Sequence, residues 1–217
     1  DAINNGCIAV ITNDDQLLGR NILVDDTYDA LLKIANHHHK QINPMTIAIT
    51  GSNGKTTVKE MIGRILDEEK TVITNKNENN EFGIPYTILR CTPNTKTLIL
   101  ECGARHDGDF KKITENFAFD QLIITNINNS HVGKFGSIDN IIRTKLELIG
   151  AVKESGIVIE AAFKDLSVNR DLNTDSLSIN LYSVGDSGEL DLQRTWPYLV
   201  ELDPDQDGKY SISLGTD

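Results

Sequence analysis

Thr46-Ile-Ala-Ile-Thr-Gly-Ser-Asn-Gly-Lys-Thr-Thr57 reads as a buried strand, a glycine loop and the opening of a helix. Ile47, Ala48 and Ile49 form an apolar run of strand length. Gly51 and Gly54 let the backbone turn so that successive N–H groups face an anion. A helix starting near Lys55 adds its free N-terminal N–H groups and the positive end of its dipole. In such a cradle Gly51, Ser52, Asn53, Gly54, Lys55, Thr56 and Thr57 would surround nucleotide phosphates. Lys55 would reach the terminal phosphates and the Thr56 hydroxyl a magnesium ion. The general phosphate-loop pattern places glycine six residues before the lysine, and Ile49 stands there instead. A plain glycine turn with a solvated Lys55 would leave the agreement of strand, loop and helix signals unexplained.

Working outward, Val58, Met61, Ile62, Ile65 and Leu66 recur at helical spacing, so the loop opens an amphipathic helix. Thr71 to Thr74 reads as a strand. Asn75 to Pro85 is a dense polar segment whose glycine and proline start a helix through Arg90. Thr97 to Leu100 is an apolar strand delivering Glu101 at its carboxyl end, and Leu122 to Thr125 is another, followed by Asn126 to His131. Ligands of an open parallel sheet bind beyond the carboxyl ends of its strands, which makes Glu101 and His131 candidates for a nucleotide's magnesium. Asp139 to Val152 predicts a helix with Ile141, Ile142, Leu146, Ile149 and Val152 on its apolar side. From spacing alone its Lys145 and Glu147 read as surface charges.

With Gly156 to Ile159 as the next strand, strand and helix alternate from Thr46 to about Glu160. That is the pattern of an α/β fold, a mainly parallel sheet flanked by helices with right-handed crossovers. Leu181 to Val184, Leu190 to Leu192, Tyr198 to Leu202 and Tyr210 to Leu214 predict a small antiparallel extension, with 203–208 as a turn. Ahead of the loop, Cys7 to Ile11 and Ile22 to Val24 are strand candidates. A helix from Asp26 or Thr27 to about His38 would bury Leu31, Leu32, Ile34 and Ala35. His37, His38 and His39 point in different directions and cannot converge on one ion, so they are expected to be solvated at the helix end. Asn43-Pro44 marks the expected boundary between residues 1–43, the remnant of an N-terminal α/β unit, and the P-loop domain 44–217.

A net charge of -11 argues against nucleic acid or an anionic membrane as partner, since most of the surface would repel both. Cys7, Cys91 and Cys102 are odd in number and far apart, which suits reduced thiols in the cytoplasm and gives no metal-ligand spacing. No apolar run approaches a membrane span.

Thr50-Gly-Ser-Asn-Gly-Lys-Thr-Thr57, Asn77-Glu-Asn-Asn-Glu-Phe-Gly-Ile-Pro85, Glu101-Cys-Gly-Ala104, Thr125-Asn-Ile127 with His131 and Phe135-Gly-Ser137, and Lys145 with Glu147 resemble the Mur ligases in order and spacing. The Asn79-Asn80-Glu81 segment is similar to the branch that adds D-alanyl-D-alanine to a nucleotide-linked muramoyl tripeptide. The resemblance implies an ATP-dependent amide ligase working through an acyl phosphate, cytoplasmic and monomeric, with ATP and Mg²⁺ as cofactors. It implies that Lys55 and its loop hold ATP, Thr56 one magnesium, and Glu101 and His131 a second; that Lys145 is carbamylated; and that Asn80 lies near the transferred phosphate. Residues 1–43 would close the UDP-substrate domain and 44–217 form the central ATPase domain, without a third domain or the start of the first. Such a piece is expected to bind ATP weakly and not to turn over. Where the family pattern leads one to expect asparagine and aspartate, this chain has Glu160-Ala161-Ala162. Other readings are a folylpolyglutamate-type or different Mur-type ligase, which the Asn79-Asn80-Glu81 segment disfavours, and a nucleotide-binding module without ligase activity.

Overall fold

The structure is a computed structural model in which residues 5–16, 20–76, 78–106, 108–127, 135–163, 175–184 and 190–200 are described. Its strands are β1 (Val10–Thr12), β2 (Asn21–Leu23), β3 (Met45–Thr50), β4 (Thr71–Ile73), β5 (Thr97–Glu101), β6 (Phe119–Ile124), β7 (Val152–Phe163), β8 (Asp175–Val184) and β9 (Leu190–Val200). Its helices are α1 (Thr27–Ile42), α2 (Lys55–Ile65), α3 (Gly83–Leu89), α4 (Lys111–Asn116) and α5 (Ile138–Glu147).

Seven strands form one sheet in the order β4-β5-β3-β6-β7-β8-β9. The first five pair in parallel, and β8 and β9 add antiparallel. The predicted α/β class and its antiparallel extension are both present. Strand periodicity sorts the core into two faces. Ala48, Leu98, Leu100, Leu122 and Ile124 pack with α1, α3 and α4 on one side. Ile47, Ile49, Ile99 and Ile123 meet Val58 and Ile62 of α2 on the other. Leu32 and Ala35 of α1 join the first of these cores, so packing continues across Asn43-Pro44, while β1 and β2 pair separately as a two-stranded parallel sheet.

Several predicted boundaries shift. Asp26 caps α1 as expected, its Oδ1 accepting from Tyr28 N at 2.7 Å and Asp29 N at 3.1 Å. The helix runs to Ile42, however, a turn beyond His38. Leu32, Ala35 and His39 lie on one stripe against the core, so the expectation of three solvated histidines fails. His39 Nε2 is 2.8 Å from Thr46 Oγ1, His38 Nε2 is 2.8 Å from Cys91 O, and only His37 of the three is exposed. Ile34 is exposed as well. On α2 the contact with the sheet is narrower than the periodicity predicts: Met61 is 59% and Ile65 81% exposed, while Lys59 is fully buried.

Ser137 caps α5, which ends at Glu147 in a 3-10 turn over Leu148–Ala151 instead of continuing to Val152. Lys145, expected at the surface, is buried. β7 continues past Ile159 to Phe163 because β8 pairs along it, and 190–192 with 198–200 belong to the single strand β9. The turn and strand expected in 203–214 lie outside the described residues. Cys7, Cys91 and Cys102 are free. Among the described residues no helix is long and apolar enough to cross a membrane.

Candidate functional site

The phosphate-loop stretch, Glu101 and the end of β6 leave the sheet at one level. Ile49 is in register with Glu101 of β5, and Thr50 with Ile124 of β6. Ile49, where the general pattern has glycine, is simply the last but one residue of β3, and the turn begins at Gly51. Gly51 has φ +142°, and a Cβ there would lie 2.0 Å from Thr125 Oγ1. Both the backbone angle and the space exclude a side chain. The loop is fastened to the segment after β6. Ser52 N donates to Asn126 O at 2.8 Å, Asn53 N to Asn126 Oδ1 at 3.0 Å, and Thr125 Oγ1 to Asn53 O at 2.6 Å.

Gly54, at φ +80°, then opens α2 with no side-chain cap. Its dipole and first-turn N–H groups therefore lack the side-chain acceptor that Asp26 and Ser137 supply to α1 and α5.

Two ammonium groups converge on one carbonyl. Lys55 Nζ donates to Gly51 O at 2.7 Å and Ser52 O at 3.3 Å, and Lys145 Nζ to the same Gly51 O at 3.1 Å. Burial, opposed by Glu101 and Cys102, holds the Lys55 pKa below its ordinary value. Burial first, and then the Lys55 charge, bring Lys145 down to about 8. Opposite them Glu101, 1% exposed, presents Oε1 to Thr56 Oγ1 at 3.0 Å and Asn79 Nδ2 at 2.8 Å. Its Oε2 has no hydrogen-bond partner.

An open cleft of about 400 Å³ is lined by Ser52 to Thr57 with Asn79 and Glu101. A larger one, about 670 Å³, flanks α2 and β4 and mixes Arg64 and Arg90 with Glu60 and Glu68. Chemistry rather than size selects the smaller: an uncapped helix start and two crowded cations suit a polyanion. Among the described residues no three His, Cys, Asp or Glu side chains cluster for a metal. A divalent ion here would draw on Thr56, on Glu101 Oε1 beside it and on oxygens of the bound anion, a hard-oxygen set that suits magnesium.

Of the residues singled out from sequence, Gly51 to Thr57, Glu101 and Lys145 belong to this edge, and His131 lies outside the described residues. Asn80 Oδ1 accepts from Gly83 N at 2.9 Å at the start of α3, and its neighbour Asn79 reaches the cleft. Sequence reasoning missed Lys59, whose position three residues after Thr56 on the same helix face was the available signal. It also gave no role to Thr125 and Asn126.

Residues 49–198 match the Mur ligase middle domain. A UDP-N-acetylmuramoyl-tripeptide--D-alanyl-D-alanine ligase of Haemophilus influenzae is 34% identical over 165 residues, 73% of this chain and 36% of that protein. Its Bacillus subtilis namesake is 36% identical over 173 residues, 79% of this chain and 37% of that protein. The chain thus spans little more than a third of the length of these curated relatives. Among solved structures, MurF from Acinetobacter baumannii superposes with a TM-score of 0.67 at 24% identity, covering 92% of this chain and 48% of its own. The MurF ligase of Thermotoga maritima, solved in complex with ADP, gives 0.67 at 23% identity, covering 92% of this chain and 51% of its own. By the extent of the middle-domain match and the agreement in fold, the chain belongs to the Mur ligase family.

Proposed function

We propose that the chain is the ATP-binding part of an amide ligase of peptidoglycan precursor synthesis, one that joins D-alanyl-D-alanine to UDP-N-acetylmuramoyl-tripeptide. The observation that carries this reading is the pair of lysines, Lys55 and Lys145, sharing Gly51 O at the mouth of an uncapped helix. Two like charges on one carbonyl repel each other, and an anion between them relieves that repulsion. The relatives that carry this function by name, and the Thermotoga maritima ligase bound to ADP, support the choice of a nucleotide and of this ligase branch.

In this reading ATP supplies the phosphoryl group that turns a substrate carboxylate into an acyl phosphate, and magnesium screens its charge. The loop N–H groups and Lys55 hold the phosphates. Thr56 would hold one magnesium, and Glu101 with His131 a second. Lys145 is an ammonium in the pair above, and its pKa near 8 gives far more neutral amine at physiological pH than an ordinary lysine; carbamate formation would draw on that amine and turn the group into an anion suited to magnesium rather than to the phosphates. Asn80 and its neighbour Asn79 come from the segment facing the reacting groups. Residues 1–43 are assigned to the close of a UDP-substrate domain and 44–217 to the ATP-binding domain. The protein is assigned to the cytoplasm as a monomer.

Acyl transfer requires both substrates in near-attack geometry, worth roughly 7–11 kcal/mol of barrier lowering. These residues alone are therefore expected to bind Mg-ATP without ligase turnover. A phosphate-release assay tests this. No stimulation by D-alanyl-D-alanine is expected, and robust stimulation would show that the acceptor site lies within these residues.

A further inference from the structure

Lys59 is the largest fully buried side chain described and has no part in the function assigned above. A lysine with no exposure needs a reason, because an ammonium out of water is costly unless it is paired and hydrogen-bonded. Its partners are three. Nζ donates to Thr74 O at 2.8 Å, lies 3.1 Å from Glu60 Oε1, and lies 3.6 Å from Glu101 Oε2. The Glu60 side chain is 48% exposed, so water screens that contact. Glu101 is as buried as Lys59 itself, and at 3.6 Å the two form an ion pair too long for a hydrogen bond.

We infer that Lys59 is a positioning residue for Glu101. It stands at Oε2 and compensates the charge of the carboxylate, which leaves Oε1 turned to Thr56 and Asn79 at the cleft. The backbone supports the same arrangement: Glu101 N donates to Thr74 Oγ1 at 3.0 Å, so Thr74 ties the Lys59 ammonium and the Glu101 main chain together. A compact ammonium fits this role, having three donors at a point where the fork of an arginine would need more room. Lys59 and Thr56, one turn apart on α2, thus address the two oxygens of one carboxylate from a single helix.

The inference rests on the nucleotide and metal reading of the site, and two measurements separate them. The first needs no ligand. Lys59→Met should lower the thermal midpoint by about 10 °C, the size expected for an uncompensated buried charge. Lys59→Met/Glu101→Gln, which removes both charges, should recover at least half of that loss. No recovery would overturn the pairing. The second compares ADP affinity with and without Mn²⁺ by calorimetry and by the manganese resonance spectrum. In Lys59→Met the Mn²⁺-dependent gain should fall about tenfold or more, with a much smaller change in metal-free ADP affinity. Should Lys59→Met not fold, Lys59→Gln, which keeps a donor for Thr74 O, takes its place. A full metal-dependent gain in the variant would overturn the positioning role. Failure of the wild-type chain to show any gain would instead overturn the reading of the site, and the thermal cycle would still decide the pairing.

Discussion

The two edges of the sheet both carry buried polar groups, and the groups are arranged to opposite ends. At the amino edge the network is closed. His39 Nε2 meets Thr46 Oγ1 at 2.8 Å, Thr46 Oγ1 donates to Pro44 O at 3.1 Å, and Thr46 N donates to Asp120 Oδ2 at 2.8 Å. Asp120 Oδ1 in turn accepts from Lys153 Nζ at 2.7 Å. Charges there are paired one to one. At the carboxyl edge two lysines share one carbonyl and a helix starts without a side-chain cap. A closed network holds a fold together, whereas an open one is completed by something that binds.

The largest effect that sharpens this contrast is at glycine. Gly51→Ala combines a Gly-only backbone angle with a Cβ 2.0 Å from Thr125 Oγ1. Strain and overpacking together should cost about 4 kcal/mol. Gly150 lines a cleft at the amino edge and has nothing within 4 Å of a built Cβ, so Gly150→Ala should change stability by less than about 0.5 kcal/mol. Denaturant melts of the two variants make the comparison. Equal stabilities would show that the loop is not clamped against Thr125.

Next in size is His39→Ala. It should destabilise the fold by about 2 kcal/mol, by unpairing Thr46 Oγ1 and opening space, while leaving ADP affinity unchanged. Burial, then the Lys153 charge, holds the His39 pKa below its usual 6.5. The unfolded chain therefore takes up the proton first, and this contribution to stability is lost as pH falls below the ordinary histidine range. A loss of ADP binding in His39→Ala would break the separation of the two edges.

The smallest effect, taken per unit of pH, is at Lys145, whose pKa of about 8 lies below the ordinary 10.5. Between these values the unfolded chain holds more protons than the folded one. Stability from this group therefore rises with pH across that window, by at most about 1.4 kcal/mol per pH unit. Pyrophosphate favours the charged amine, so its binding should tighten as pH falls through about 8. Lys55→Met should move the Lys145 titration upward, because the neighbouring cation is one cause of the depression. Nitrogen-detected NMR of the amine follows both.

Much of this edge was legible in the sequence because backbone chemistry writes it plainly. Gly51 and Gly54 are where the angles demand glycine, and apolar strands ending in Glu101 or Thr125 declare which edge they feed. What stayed hidden depends on which way a helix faces. Lys145 read as a surface charge because a charge on a helix usually is, Lys59 drew no reading at all, and only tertiary packing turns the two inward. His39 failed for the same reason, its stripe being set by α1 running one turn longer than its pattern announced. Between Asn79 and Asn80, spacing gave no means of choosing which would reach the cleft and which would meet Gly83 N.

The central claim is that the carboxyl edge is completed by a nucleotide polyphosphate. It is tested most directly by calorimetric titration of ADP with Mg²⁺ into the chain and into Lys55→Ala. Saturable one-to-one binding is expected for the wild type, weakened on the order of a hundredfold in the variant, where phosphate charge loses its closest ammonium. Equal affinity in the two proteins would contradict it.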